Sequence, residues 1–561
     1  MNASAYVSAP VISRYFYRRS PDQNAAQPAR HPLVVVGAGP TGLCVAIDLA
    51  LRGNKVVLLD ADDCLSDGSR AVSYARRSLE ILDRLGCGAK VVERGVAWSS
   101  GKIFFKDHHL YSFNLAQADR VGRPAFINLQ QARFEEILVQ RALALGVDLR
   151  WKNCLATLSQ DAAAVHLQID TPDGRYAMDC DWLIACDGAN SPIRAMLGLD
   201  FKGQIFRDRF LIVDVRMQAD FPVERWFWFD PPFHPGRSVL MHRQADNVWR
   251  VDFQLGWEAE PAKEKQEEPV LERLTAMLGS HEFELLWSSV YTFQCRRMEQ
   301  FRHGRVLFAG DSAHQVSPHG ARGANSGMQD VDNLAWKIDL VLKDQAPLDL
   351  LNSYGVEREY AAEENLRNAK RATAFITPKN KHARRFRDAV LALARRQPFA
   401  RRLVNSGRLS VPVILLESPL NTPDAEPMTN GPVPGSPLLD VMLSEHGESL
   451  RLAQAVGSGF CLLLFCGRDG VPDEADVLAL QAAAGEVAAL GMLALTGAAA
   501  ACRPGLRILH DAELAAHAAY DALPGTAYLL RPDQHVCARW RRLEPALLRA
   551  ALLRATAATP N

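Results

Sequence analysis

Short apolar runs organise the first part of the chain. Residues 33–36, 55–59, 181–185 and 306–309 are nearly unbroken in hydrophobic character, the pattern of strands covered on both faces of a parallel sheet. Between them, residues 43–51, 73–85 and the stretch beginning near Ala324 predict helices. Residues 151–185 alternate apolar and polar around Pro172-Asp-Gly, predicting an antiparallel hairpin. From 201 to 300 the pattern becomes aromatic-rich strands, at 210–215, 225–229, 238–242 and 248–255. Residues 366–408 are basic and helical, and the Pro-rich stretch 411–437 reads as a linker. Beyond it lie a buried strand at 460–465, Ala-rich helices at 477–490 and a strand at 526–531. Strands alternating with helices make this an α/β chain.

Three of the apolar runs end in glycine and aspartate. The first opens on Gly37-Ala38-Gly39-Pro40-Thr41-Gly42, a GxGxxG turn between a strand and a helix, and the second strand ends in Asp60. The first glycine suits a tight turn and the second a close approach to a pyrophosphate. The third allows helix to pack on strand, and the acid suits a ribose hydroxyl. This order of elements is a Rossmann-type dinucleotide fingerprint. A second run ends in Asp187-Gly188, followed by Ser191 and Arg194; by itself this is also an ordinary turn. The third ends in Gly310-Asp311, and a loop with Pro318, Gly320 and Gly323 leads into a helix whose N–H groups would face the same place.

Composition narrows the classes. The 561 residues leave room for two to four domains, and Lys+Arg equals Asp+Glu at 64 each. That balance gives no sign of nucleic acid or an anionic membrane as partner. No apolar stretch is long enough to span a bilayer. The 11 cysteines are scattered without a CxxC, which suggests reduced thiols in a cytoplasmic protein and no metal-ligand set. Residues 1–30 carry Arg14, Arg18 and Arg19 without an apolar core, unlike a signal peptide. They read as a mostly mobile leader, part of it pinned by Tyr15-Phe16-Tyr17.

Together the segments resemble the class A flavoprotein aromatic hydroxylases, most closely the branch of phenol and 3-(3-hydroxyphenyl)propionate hydroxylases. The matching motifs are Gly37/Gly39/Gly42, Asp187-Gly188, Gly310-Asp311, residues 318–325 and residues 330–337. The resemblance implies FAD, reduction by NADH or NADPH, and transfer of oxygen from dioxygen to a small aromatic substrate through a flavin hydroperoxide. It implies cofactor contacts from Gly37, Ala38, Gly39, Pro40, Thr41, Gly42, Asp60, Arg70, Gln131 (with Gln130 a competitor), Asp187, Gly188, Gly310, Asp311, Gly323, Ala324 and Asn325. Pro318 would hold a carbonyl near the reacting edge of the flavin. Arg322 would place a cation beside it, or else point outward into solvent. Trp228, His242, Phe253 and Tyr291 are the candidate substrate contacts, chosen from the aromatic region without a motif behind them.

The implied fold is a Rossmann-type FAD-binding domain (31–200 and 301–375) interleaved with a β-sheet substrate domain (201–300). A helical segment and linker (376–429) and a thioredoxin-like C-terminal domain (430–561) follow. Cys461 and Cys466 lie five apart on a strand and so on opposite faces, which rules out a redox pair. The last domain is therefore structural or a homodimer contact. The chain departs from the family pattern at Ser312, at Ser317-Pro318 and at Ala321-Arg322. A halogenase would carry WxWxIP, and Arg225-Trp-Phe-Trp-Phe-Asp-Pro-Pro supplies only the tryptophans. The remaining alternative is a flavoprotein scaffold that recruits a partner through its C-terminal module.

Overall fold

The structure is a computed structural model that describes residues 13–66, 71–115, 122–279, 281–405, 409–468, 470–485, 487–497 and 503–558. The chain divides into two compact units. One comprises residues 1–117, 124–330 and 362–411, the other residues 118–123, 331–361 and 412–561.

The first unit is built on a sheet whose central strands are parallel. Strand Ala29–Val36 lies between Val56–Leu59 and Gly174–Ala185, with Val306–Phe308 beyond the latter and Asp148–Arg150 beyond the former. Leu33, Val34, Val35, Leu183, Ile184, Val306 and Leu307 have no exposed surface, as expected where helices cover both faces. Register matters here. Val36 pairs with Leu59 and with Ala185, and Ala185 pairs with Phe308. Four strands therefore end at one level, and the segments following them open side by side. The hairpin expected at 151–185 forms as Val165–Thr171 against Gly174–Ala185, extended by Cys154–Gln160.

One expectation changes at the edge of this sheet. Ser73–Ala75 is a strand, paired with Phe126–Asn128, and the helix begins only at Arg76. Sheet pairing outweighs a local preference that favoured helix from residue 73. The described part of the leader, residues 13–30, makes contacts with this unit. Tyr15 stacks on Trp151 with centroids 4.6 Å apart, and Asp22 sits between Arg150 at 2.6 Å and His31 at 2.8 Å.

A second sheet of the same unit runs in the order His314–Gln315, Glu284–Arg297, Lys202–Arg216, Val248–Gly256, Ser238–Arg243, Arg225–Phe229, Ser100–Phe105, His108–Asn114. The strand expected at 210–215 is much longer, and its partner Glu284–Arg297 was not legible in the sequence. The two faces bury different clusters. Leu211, Val213, Val239, Met241, Val251 and Phe253 pack under Val270, Leu274 and Leu278 of the helix Glu267–Leu278. Phe210, Phe227, Phe229, Leu240 and Phe293 pack with Leu366, Ala369, Ile376 and Leu391.

The second unit has a mixed sheet in the order Glu448–Arg451, Met442–Glu445, Arg507–His510, Leu490–Thr496, Phe460–Gly467, Ala527–Leu530, Val536–Trp540. Its central three strands are parallel to one another. The helix read at 477–490 is Glu474–Gly485, and Leu490 already begins the next strand. Glu357, Lys337, Arg531 and Asp533 form a wholly buried ionic cluster in this unit.

Candidate active site

The aligned strand ends bring the three glycine segments into mutual contact. Gly37 has φ +102°, and a Cβ there would lie 2.3 Å from the Cys186 carbonyl oxygen. A Cβ on Gly42 would lie 1.9 Å from the Gly37 carbonyl oxygen. Only glycine fits either position. Gly39, by contrast, would meet nothing within 4 Å, and it caps the helix Pro40–Leu51, whose first residue is the favoured proline. The backbones interlock: Gly37 N donates to Leu59 O, Cys186 N to Val36 O and Ala309 N to Ala185 O, at 2.8, 2.8 and 3.0 Å. Positions for Cβ on Gly310 and on Gly327 both lie 2.6 Å from Thr41 Oγ1. The late turn thus rests directly on the early one.

Each acid at the strand ends has defined partners. Asp60 accepts from Ala38 N at 2.5 Å and from Asp62 N at 2.8 Å. Burial raises its pKa against those two bonds. Asp187 accepts from Ser191 Oγ at 2.7 Å and Ile193 N at 3.0 Å through one oxygen, while its other oxygen, Oδ1, is buried with no hydrogen-bond partner among the described residues. Asp311 is exposed, and its Oδ1 lies 3.9 Å from where a Cβ on Gly323 would be, beside the start of the helix Gly323–Leu342. Asp330 braces the turn from behind by accepting from Gly310 N at 3.0 Å and pairing with His314 Nε2 at 2.7 Å. Arg194 donates to the Ser312 and Ala189 carbonyls at 2.8 and 3.0 Å. Pro318 is exposed, and its carbonyl accepts from Ala321 N at 3.0 Å. Ala321 itself sits at φ +53°, a conformation that costs a non-glycine residue about 1–2 kcal/mol.

Several expected cofactor side chains are committed elsewhere. Asn325 is a brace: its Oδ1 accepts from Ala75 N at 2.8 Å and Ser78 Oγ at 2.6 Å, and its Nδ2 donates to the Ser73 and Ala321 carbonyls. Every polar valence of the side-chain amide is used, which leaves the backbone N–H at the helix start as the group Asn325 could offer a cofactor. Asn325→Ala is expected to lower the unfolding free energy by about 3 kcal/mol, since it strands buried donors and acceptors; the midpoint of a urea titration checks this. The Gln131 side chain accepts from Ala71 N and donates to Ser66 and Glu135. Arg322 is not solvated, as it is 3 % exposed and donates to Asn365 Oδ1 at 2.6 Å and Leu409 O at 3.0 Å. Burial pulls its pKa down to about 10. Arg70 lies outside the described residues.

The four aromatic-region candidates separate by strand parity. Trp228 pairs with Val239 and Phe253 with Leu211, all on the face under the helix Glu267–Leu278. Tyr291 pairs with Phe210 on the opposite face, and His242 shares that face with its neighbour Arg250. Trp228 and Phe253 therefore pack on the face under that helix, opposite to Tyr291 and His242. The face with Tyr291 and His242 is the one that meets the turn: His319 contacts Phe210 and Phe293, with centroids 5.0 and 5.4 Å away. Sequence reading missed Trp98, Phe126 and Asn128 here. Trp98 stacks on Phe126 at 4.8 Å, and Ala321 packs against both. Their three-residue strands give too little periodicity to reveal which side they line.

Glycine turns at the carboxyl ends of parallel strands, next to an aromatic sheet face, define a dinucleotide-binding α/β protein of the flavoprotein type. The chain belongs to the FAD binding domain family, matched over residues 30–369, and within it to the FAD-dependent aromatic hydroxylases, which are monooxygenases. It is 32 % identical over 364 residues to the 12-dehydrotetracycline 5-monooxygenase/anhydrotetracycline 6-monooxygenase of Streptomyces rimosus, covering 62 % of this chain and 70 % of that one. It is 25 % identical over 458 residues to a 3-(3-hydroxy-phenyl)propionate/3-hydroxycinnamic acid hydroxylase of Mycolicibacterium smegmatis, covering 78 % and 77 %. The fold matches the crystal structure of the flavin-dependent monooxygenase PieE in complex with FAD and substrate, with TM-score 0.81, 20 % identity, and 95 % and 100 % of the two chains covered. Among the described residues no helix is long and apolar enough to cross a membrane.

Proposed function

We propose that this chain hydroxylates a phenolic or other electron-rich aromatic compound, with NADH or NADPH as electron donor and dioxygen as oxygen donor. The observation that carries the reading is the contact of the late turn with the early one, Gly310 and Gly327 against Thr41. It brings the glycine turn that would take the pyrophosphate side by side with the Gly310-Asp311 turn that would take the middle of the cofactor. The residues fit FAD: Gly39 leaves open space at a helix N-terminus, and Asp187 keeps a buried oxygen without a donor. Bound FAD would supply the redox chemistry that activates dioxygen, which side chains cannot.

The protein's part is placement. Gly37, Ala38, Gly39, Pro40, Thr41 and Gly42 would cradle the pyrophosphate, with the helix Pro40–Leu51 aimed at it. Asp60 would take the ribose, while Gly188, Gly310 and Asp311 would hold the middle of the cofactor. The amides of Gly323, Ala324 and Asn325, at the start of the helix Gly323–Leu342, would stabilise negative charge on the ring system. Pro318 sits at the exposed edge of that turn. Arg322 acts from behind, fixing the turn through Asn365 and the Leu409 carbonyl. Named relatives act on tetracycline intermediates and on hydroxyphenylpropionate, so the substrate class spans single-ring and fused-ring phenols. The second unit's mixed sheet supports reading it as a thioredoxin-like module, and free thiols at all ten described cysteines suit a cytoplasmic setting.

Stopped-flow absorbance tests the activity. Mixing the yellow protein with NADH or NADPH should bleach the flavin faster when the right phenol is present, and a hydroxylated product should follow in air. Bleaching that no phenol accelerates would leave a flavoprotein scaffold instead. Asp311→Ala is expected to purify with most of its flavin missing, read as the 450 nm to 280 nm absorbance ratio; about tenfold weaker FAD binding corresponds to one lost charge-assisted hydrogen bond.

A further inference from the structure

We propose that Arg225, His242 and Asp252 form a subsite on the sheet that holds an anionic oxygen of the aromatic substrate, an ionised ring hydroxyl or a carboxylate. The inference rests on the proposed function for what the sheet faces, and it adds the polar recognition chemistry.

Parity puts the three residues on one face. Phe227 pairs with Leu240, and Leu240 with Asp252; stepping two residues along each strand brings Arg225 beside His242, which pairs with Arg250. Arg250 is already neutralised by Asp214 through two bonds of 2.8 Å, with Gln244 as a further donor to that carboxylate. Arg225 has no such arrangement. Among the described residues nothing hydrogen-bonds its guanidinium, whose carbon lies 5.8 Å from the Trp98 ring centroid. Asp252 Oδ1 and His242 Nε2 are likewise buried without hydrogen-bond partners. Two buried polar atoms short of partners, His242 Nε2 and Asp252 Oδ1, carry a penalty unless something pairs with them, and the half-buried Arg225 and Asp252 beside them leave the spot open to an incoming group. They suit a ligand.

The hydrogen-bond chain fixes what His242 offers. Trp98 Nε1 can only donate, and it donates to Asn128 Oδ1 at 2.8 Å, which also accepts from Ser73 Oγ at 2.7 Å. Asn128 Nδ2 is therefore a donor toward His242 Nδ1, 3.2 Å away, so Nδ1 accepts and Nε2 carries the proton. Burial, with Arg225 and Arg250 nearby, holds this imidazole neutral, well below its usual pKa. The face thus presents an Nε2–H and a guanidinium, both donors, neither of which has a hydrogen-bonded acceptor among the described residues. Trp98 packs against Phe126, Ala75 and Ala321 of the turn, so this polar spot adjoins the flavin-side loop.

Asp252 tunes the spot. The charged groups facing it are Arg225, Arg250 and Asp214, with neutral His242 on the neighbouring strand and Tyr291 facing Arg250. Burial pushes its carboxyl up to about 6, against the pull of the two arginines. Below that pH it is neutral and leaves Arg225 to the ligand. Above it, the carboxylate competes for Arg225 and repels an anion.

The test is calorimetric titration of the FAD-loaded protein without reductant, from about pH 5 to about pH 9, using benzoate and 2,4-dinitrophenolate, both ionised throughout, and neutral phenol as control. At least one anion should bind wild type, with affinity falling as pH rises through about 6. The preferred anion identifies carboxylate or phenolate as the source. Asp252→Asn should abolish the pH step and bind anions at alkaline pH as tightly as wild type does in acid. Arg225→Met should weaken the anion by about thirtyfold or more while changing phenol by less than about threefold, and Arg225→Lys should restore part of the loss. Failure of both anions at millimolar concentration, a pH step that survives Asp252→Asn, or equal losses for anion and phenol would each overturn the subsite. Anion binding of this form in a protein whose flavin no phenol helps to reduce would sink the hydroxylation reading alone.

Discussion

Replacing Arg531 with methionine is expected to destabilise the second unit by about 3–5 kcal/mol, the loss that follows when one partner of a buried ionic cluster is removed. Arg531 has no exposed surface. It donates to Asp533 at 2.6 and 3.0 Å and also to both oxygens of Glu357. Glu357 receives Lys337 Nζ at 2.7 Å as well, and Lys337 reaches Asn333 Oδ1 at 2.9 Å. Two cations and two carboxylates balance. Without Arg531 the cluster holds two anions and one lysine, buried where their charges are poorly screened. Arg531→Met combined with Asp533→Leu restores neutrality and should recover most of the loss, which a double-mutant cycle in urea would measure. Near-additive losses would show that the cluster is not electrostatically coupled.

The same cluster gives an acid limb to stability. Burial alone would raise the Glu357 carboxyl, but Arg531 and then Lys337 outweigh it and hold it well below the usual range; Asp533 is held down in the same way, chiefly by Arg531. A carboxyl whose folded pKa is depressed contributes its stability fully above about pH 4, its unfolded value, and loses it as pH falls toward the folded value. The wild type should therefore weaken below about pH 4, and Arg531→Met should show a shallower slope there.

What the sequence disclosed and what it hid follow from range of interaction. Gly37, Gly39 and Gly42 announce themselves because their constraint is local: a turn, a cap and a helix start within six residues. The Gly310-Asp311 turn is legible for the same reason. The faces of Trp228 and Phe253 were hidden because aromatic richness does not say which way a strand residue turns; pairing with Val239 and Leu211 decides that, and pairing is long-range. The bracing role of the Asn325 side chain was hidden because its partners Ala75 and Ser78 lie some 250 positions away in the chain. Asp330, Asn333 and Lys337, one helical stripe in the sequence, turn out to have separate tasks: the first anchors Gly310, and the other two feed the ionic cluster around Glu357. No periodicity could assign those roles, since the partners arrive from other elements.

Two neighbouring glycines should separate folding from cofactor binding. At Gly42 an added methyl would lie 1.9 Å from the Gly37 carbonyl oxygen, a backbone atom that cannot swing aside. Gly42→Ala must displace either the helix Pro40–Leu51 or the strand beneath it, and about 1–3 kcal/mol of stability should go with it. Gly37 itself is pressed against Cys186, so the shift would travel to the Asp187-Gly188 segment, a second of the proposed cofactor contacts. The protein should purify colourless and take up no added FAD. Gly39→Ala is the complementary case, because its methyl would meet no protein atom within 4 Å, and φ there is −73°, which alanine adopts freely. The thermal midpoint of the flavin-free protein should match wild type to within about 2 °C, or rise slightly through reduced chain entropy. Yet the methyl occupies the space where a pyrophosphate would approach the backbone, so FAD affinity should fall by about a hundredfold, near 3 kcal/mol. Fluorescence quenching of added FAD reads that loss directly. If Gly39→Ala keeps wild-type affinity, the open space at Gly39 is not where the cofactor crosses the turn.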